Sequence, residues 1–244
     1  AEWKQGLAND SGLVGKNLMR HYIDLYAVRV DGAAEATSLK QLALNDLYAG
    51  ARGKLGTLQS FGALPPSWVM SVEMADELAA AGKTMSAALV RMGHGLVARG
   101  LDTALRGTTI LASICEDLPY ADNQVRIGRD GAGVERIEIQ YQVHPHEARR
   151  IRTMREGVMG LLSPFKMRLI EQAENNRRIA HACGTCRAGN DPQQSVVDGN
   201  NKAHGVDNLY VVDASFFPSS GGTNPSLTIA ANALRVAAQL APSA

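Results

Sequence analysis

The side chains best suited to chemistry fall in the last quarter of the 244-residue sequence, between His181 and Leu240. His181 carries an imidazole, the side chain whose ordinary pKa lies nearest neutrality, and so could take or give a proton. Cys183 and Cys186 form a C-x-x-C, the spacing of a redox pair or of half a zinc site; no second C-x-x-C follows, so the pair carries little specificity. Asp213 closes the apolar run N-L-Y-V-V (208–212), and Asn224 stands just before Pro225. Each also has a plain structural reading: a packed histidine, a turn-capping aspartate, a helix-capping asparagine.

Three elements must position these groups. The β-branched run 208–212, bounded by turn formers, predicts a buried strand that delivers Asp213 to its end. Pro218-Ser219-Ser220-Gly221-Gly222-Thr223 is a turn in which two glycines allow positive φ or close backbone approach. From Pro225 to Leu240, residues Leu227, Ala230, Ala231, Leu234, Ala237 and Ala238 recur at helical spacing, with Pro225 in the first turn and Asn224 as N-cap. A capping asparagine accepts through its carbonyl oxygen, which leaves its NH₂ to donate to a substrate oxygen. The helix N-terminus favours negative charge, and the small residues Ser226, Ala230 and Ala231 leave room for a flat ligand.

In order, the segment reads H-A-C-G-T (181–185), R-A-G-N-D-P-Q-Q-S-V-V-D (187–198), H-G-V-D-N-L-Y-V-V-D-A-S (204–215) and P-S-S-G-G-T-N-P-S-L-T-I (218–229). This run resembles the C-terminal signature of the glucose-methanol-choline (GMC) family of flavin-dependent oxidoreductases. L-A-N-D-S-G-L-V-G-K-N-L-M (7–19) resembles the family segment that leaves the flavin domain, and E-D-L-P with N-Q-V-R-I (116–119, 123–127) the start of its later strands. The resemblance implies FAD as cofactor and a small-molecule alcohol as substrate. It implies His181 as the base that takes the hydroxyl proton while hydride leaves the carbinol carbon for flavin N5, with Asn224 orienting the alcohol. Asp213, Ala214, Thr223, Asn224, Pro225 and Ser226 are implied as flavin contacts. Ala188 replaces a frequent methionine of the family, and Arg20 stands before His21 where relatives often carry an acidic residue.

The G-x-G-x-x-G turn that seats a dinucleotide pyrophosphate does not occur near the N-terminus. The resemblance therefore implies that this segment lies upstream of Ala1, that the chain is inactive alone, and that a complementary N-terminal FAD-domain chain could restore function. The alternative reading is a non-catalytic remnant or small-molecule binding module without flavin. The resemblance leaves open the alcohol and the electron acceptor.

The remaining sequence predicts an α+β fold. Residues 1–19 are expected to be a residual flavin-domain segment, 20–175 a substrate domain with a mainly antiparallel sheet and covering helices, and 176–244 the C-terminal part of an α/β FAD-binding domain. Strands are predicted at His21–Asp31, Thr108–Cys115, Gln124–Gly128 and Val134–Val143, the last one half-buried, with Asp130-Gly131 turning a hairpin. Helices are predicted at Trp68–Ala81, Met85–Arg99, Glu147–Leu162 and Phe165–Asn175. His21 and His94 have no supporting context, His144 and His146 flank a proline and are expected to be solvated, and His204 reads as structural. A balance of 25 basic and 24 acidic residues gives no reason to expect nucleic acid or an anionic membrane as partner. No apolar stretch reaches membrane-spanning length and no metal ligand set stands out; with no targeting signal in the chain, the cytoplasm is the default.

Overall fold

The computed structural model describes residues 5–29, 40–50, 53–61, 65–175 and 179–241. Five strands, β1 (His21–Arg29), β2 (Ala43–Leu44), β3 (Gly56–Ser60), β4 (Thr108–Glu116) and β7 (Lys166–Ile170), form an antiparallel sheet. Their order is β2-β3-β4-β1-β7, and β5 (Gln124–Arg129) pairs with β6 (Glu135–Gln140) in a separate hairpin. The helices are α1 (Ser67–Ala80), α2 (Thr84–Met92), α3 (His94–Leu105), α4 (Pro145–Leu161) and α5 (Ser226–Leu240). The fold is the expected mixture of helices with a mainly antiparallel sheet. Among the described residues, no helix is long and apolar enough to cross a membrane.

The period-2 pattern of β1 divides the sheet into two faces. Tyr22, Tyr26 and Val28 point to one side with Leu58, Leu111 and Cys115, and α4 covers them with Ile151, Met154 and Val158. Those three residues recur at spacings of three and four, so one stripe of α4 is apolar; burying each contributes roughly 1.5–3 kcal/mol. The opposite face carries His21, Ile23 and Leu25 from β1, with Thr57 and Gln59 brought level by the register of β3 and β4. This second face is the floor of the site described below.

The structure corrects several expectations. Residues 208–212 form no strand: Tyr210 makes an isolated bridge with Lys202, and two further backbone bonds tie Leu209 and Val211 to Ala203 and Asn201. The run has pairing partners on one side only among the described residues; Leu209 and Val211 instead join a small second core with Val196, Val197 and Ala203, and Val212 is exposed. Phe165–Asn175 is not a helix but contains β7, because Met167 and Leu169 alternate into the core while the strand pairs with Leu25–Arg29. The expected helix 85–99 is two helices broken at Gly93, whose N–H bonds to Leu89 and whose carbonyl starts the next turn. α1, α2 and α3 pack chiefly on one another rather than over the sheet, leaving Met85 and Met92 about four-fifths exposed (79% and 84%). β6 is not half-buried; Ile137 is 77% exposed. The hairpin turn is as expected, with Asp130 Oδ1 accepting from the N–H groups of Ala132 and Val134. The strand predicted for 21–31 is seen to Arg29, and its last two residues lie outside the described residues.

Candidate active site

Two stretches of the C-terminal quarter are laced to the rest by backbone bonds. Met19 and Cys183 exchange both N–H···O bonds, at 2.9 and 3.0 Å, and His21 N–H donates to Ala180 O at 3.0 Å. Residues 180–183 therefore run alongside the entry to β1. Gly184, Cys186 and Ala188 then donate to the carbonyls of Ala214, Ser215 and Phe216 at 2.8–3.2 Å, joining the H-x-x-G-T box to the segment after Asp213. Gly184 has φ +92°, and a Cβ there would lie 2.5 Å from Asn17 O, which is the reason this position is glycine. Asp213 caps the 3₁₀ turn Ala214–Phe216, accepting from the N–H (2.9 Å) and hydroxyl of Ser215.

The Pro-Ser-Ser-Gly-Gly turn is pressed onto the sheet. Ser220 Oγ accepts from Asp117 N–H at 2.9 Å and donates to Asp117 O at 3.0 Å. A Cβ on Gly222 would fall 2.5 Å from Gly56 Cα, so only glycine lets this turn lie against β3. Asn224 follows, but it is not the N-cap. Pro225 occupies that position, α5 begins at Ser226, and no side chain caps it. The tertiary contact overrides capping: Asn224 Nδ2 donates to Gln59 Oε1 at 2.8 Å, which ties the asparagine to the second face of the sheet.

His181 lies on that face too, through a residue that sequence reasoning passed over. His21 Nδ1 and His181 Nδ1 are 2.8 Å apart, with the rings edge-on at 72°, and His21 Nε2 is 3.0 Å from the carbonyl of Ser220. His21 is buried and His181 half-buried. His181 has φ +58°, a left-handed conformation that histidine adopts more readily than most residues but still at a cost. His21, but not His181, lines a cavity of about 210 Å³ together with Arg20, Ile23, Leu25, Phe61, Gln172 and Ala180. The signal that could have found His21 was its phase: it shares the alternation of Ile23 and Leu25, the face away from Tyr22 and Tyr26. No hydrogen bond joins His181 to Asn224; the structure brings each to the same sheet face on a different partner.

Burial holds His21 neutral, lowering its pKa to about 4, and the nearby His181 adds to the effect. Burial lowers the pKa of His181 as well. Because the unfolded chain binds a proton to His21 near pH 6.5 and the folded chain only near 4, stability is full above 6.5 and falls as pH drops between these values. The size is about 3 kcal/mol. Asp117, whose carboxyl burial pushes up to about 6, acts in the opposite sense, so the contribution must be isolated by difference. Chemical denaturation of wild type and His21→Gln between pH 7 and 4 should show the wild type losing about 3 kcal/mol more. Parallel curves would refute the assignment.

The other singled-out residues fall as follows. Asp213, Thr223 and Ser226 are exposed, Ala214 is half-buried, and Pro225 is buried at the head of α5. With no side-chain cap and with Ser226, Leu227 and Thr228 all exposed, the first N–H groups of α5 form a donor set suited to an anionic group. Cys183 and Cys186 are free thiols; burial raises both pKa values, Cys183 to about 12, which disfavours the reactive thiolate. His204 Nε2 lies 2.9 Å from Ser195 Oγ in a structural contact. His144 is not simply solvated: it stacks on Tyr120 and meets Asp122 at 3.1 Å.

A family model described as GMC oxidoreductase matches residues 119–233. Paromamine 6'-oxidase of Streptomyces fradiae is 34% identical over 243 residues, covering 97% of this chain and 40% of that protein. The 2-methyl-1,2-propanediol dehydrogenase of Mycolicibacterium austroafricanum is 27% identical, covering 94% of this chain and 42% of its own. The crystal structure of pyridoxine 4-oxidase from Mesorbium loti shares the fold at a TM-score of 0.50 and 18% identity, over 93% of this chain and 43% of the other. The chain thus spans about two-fifths of the length of these curated relatives.

Proposed function

The chain belongs to the GMC oxidoreductase family, and from that premise we propose that it supplies the substrate-facing half of a flavin-dependent alcohol oxidation site. The observation that carries this reading is the placement of His181, through His21, and of Asn224, through Gln59, on one face of the sheet, where His21, Ile23 and Leu25 line a cavity. The substrate is a primary or secondary alcohol of the sugar or polyol kind. FAD, when bound, supplies the two-electron acceptor for the hydrogen of the carbinol carbon. His181 takes the hydroxyl proton at Nε2, an atom with no hydrogen-bond partner among the described residues. Asn224 uses the amide hydrogen not given to Gln59 to hold the alcohol oxygen. Thr223, Asn224, Pro225 and Ser226 place the bare N-terminus of α5 at the anionic edge of the ring system, and Asp213 and Ala214 are further flavin contacts.

We assign the grip on the ADP half of FAD to a complementary N-terminal flavin-domain chain, since the residues placed here reach only the ring system. The flank of α5 offers a docking face for it, since Leu227 is 82% and Leu234 72% exposed. To test binding, the chain is mixed with FAD and a complementary dinucleotide-binding chain, and unbound flavin is removed by gel filtration. Flavin should elute with the complex. Protein that associates but carries no flavin would favour the non-catalytic binding module instead.

A further inference from the structure

We propose that His21 is a positioning residue that fixes His181 in the Nδ1–H tautomer, so that Nε2 of His181 presents its lone pair to the alcohol. This rests on reading His181 as the base. The argument starts at a backbone carbonyl, which can only accept. Ser220 O lies 3.0 Å from His21 Nε2, so that nitrogen carries the hydrogen. Neutral His21 then has a bare Nδ1, which can only accept. His181 Nδ1 lies 2.8 Å from it and must be the donor. Neutral His181 is left with its lone pair on Nε2.

The carbonyl that sets this direction is itself fixed. Ser220 is buried, its hydroxyl bonds both backbone groups of Asp117, and the next turn residue but one, Gly222, is pressed against Gly56. The relay is therefore anchored at Asp117, just beyond β4, and against β3 at one end, and ends at the half-buried ring of His181 at the other. It differs from a carboxylate-paired histidine in that a neutral imidazole accepts from the base; Glu116, the carboxylate that acts on His21, is itself paired with Lys54 and Arg150, and burial and Lys40 lower the pKa of His181. When Nε2 accepts the hydroxyl proton, the O–H bond electrons remain on the alkoxide oxygen. The imidazolium keeps its Nδ1–H bond to His21, now charge-assisted.

The test needs no flavin. The whole chain is labelled with ¹⁵N-histidine, and long-range ¹H–¹⁵N correlations are recorded at neutral pH, assigned with His181→Asn and His21→Gln. The expected pattern is a protonated Nδ1 and bare Nε2 for His181, and the reverse for His21. In His21→Leu the protonated-Nδ1 signature of His181 should be lost. In His21→Gln it should persist, because a carboxamide can accept from His181 with its oxygen and donate to Ser220 O with its NH₂. His181 protonated on Nε2 in the wild type overturns the proposal, and that spectrum decides even where His21→Leu fails to fold. So does an unchanged His181 pattern in a folded His21→Leu. If instead the tautomer is as stated but the flavin-loaded complex oxidises no alcohol, the proposed function fails while the relay stands.

Discussion

Replacing His181 with asparagine should slow alcohol oxidation by the flavin-loaded complex by about 10²–10⁴-fold, the range a positioned general base contributes. Asparagine suits this position because it tolerates the left-handed backbone seen at φ +58°, where alanine would add strain to the loss of the base. The only hydrogen bond the His181 side chain makes among the described residues is to His21. The fold and flavin retention should therefore survive, and the loss should appear in the rate of flavin reduction rather than in binding. Rapid mixing under anaerobic conditions separates the two. A reduction rate within about threefold of wild type, far short of the general-base range, would remove His181 from the chemistry.

The second large effect concerns stability. Asp24 lies on the core face of β1, 2% exposed, where its carboxylate receives Arg155 from α4 at 2.6 and 3.1 Å and the N–H groups of Gln172 and Ala173 at 2.7 and 2.9 Å. Asp24→Ala removes the buried one of Arg155's carboxylate partners and leaves two backbone donors without an acceptor, and should cost about 3–5 kcal/mol. Glu174 and Glu171 also reach Arg155, at 2.5 and 3.2 Å, but from partly exposed positions that only soften the loss. Asp24→Asn keeps an oxygen for the two N–H groups and should cost less. Because Gln172 lines the cavity, the variant should also loosen substrate binding. Urea unfolding measures the first effect; a change under 1 kcal/mol for Asp24→Ala would show that the network is not a stabilising hub.

The motifs were legible because they are local. His181, the Gly184 turn, Asp213 and the glycine pair before Asn224 stand close together in one stretch, so their types and spacing could be read there, although the contacts that require glycine at 184 and 222, with Asn17 and Gly56, are distant in sequence. The period-2 runs of β1 and β4 and the apolar stripe of α4 could be read for the same reason. What could not be read depends on distant partners. β7 is a strand because β1 offers it an edge, although 165–175 contains apolar spacings a helix would also satisfy. Asn224 gives up capping for Gln59, 165 residues away in sequence, and His21 gains its meaning only when Ser220 and His181 fold onto it. Residues 208–212 have strand chemistry, yet a strand also needs a ladder, and one bridge does not make one.

The most direct measurement is the visible flavin band of the reconstituted complex when a primary alcohol is added without oxygen. The band should bleach in the wild type and bleach at least about 100-fold more slowly in His181→Asn. Retained flavin that no sugar, polyol or simple alcohol bleaches, or bleaching at the same rate in both proteins, would contradict the reading of this sheet face as an alcohol-oxidising site.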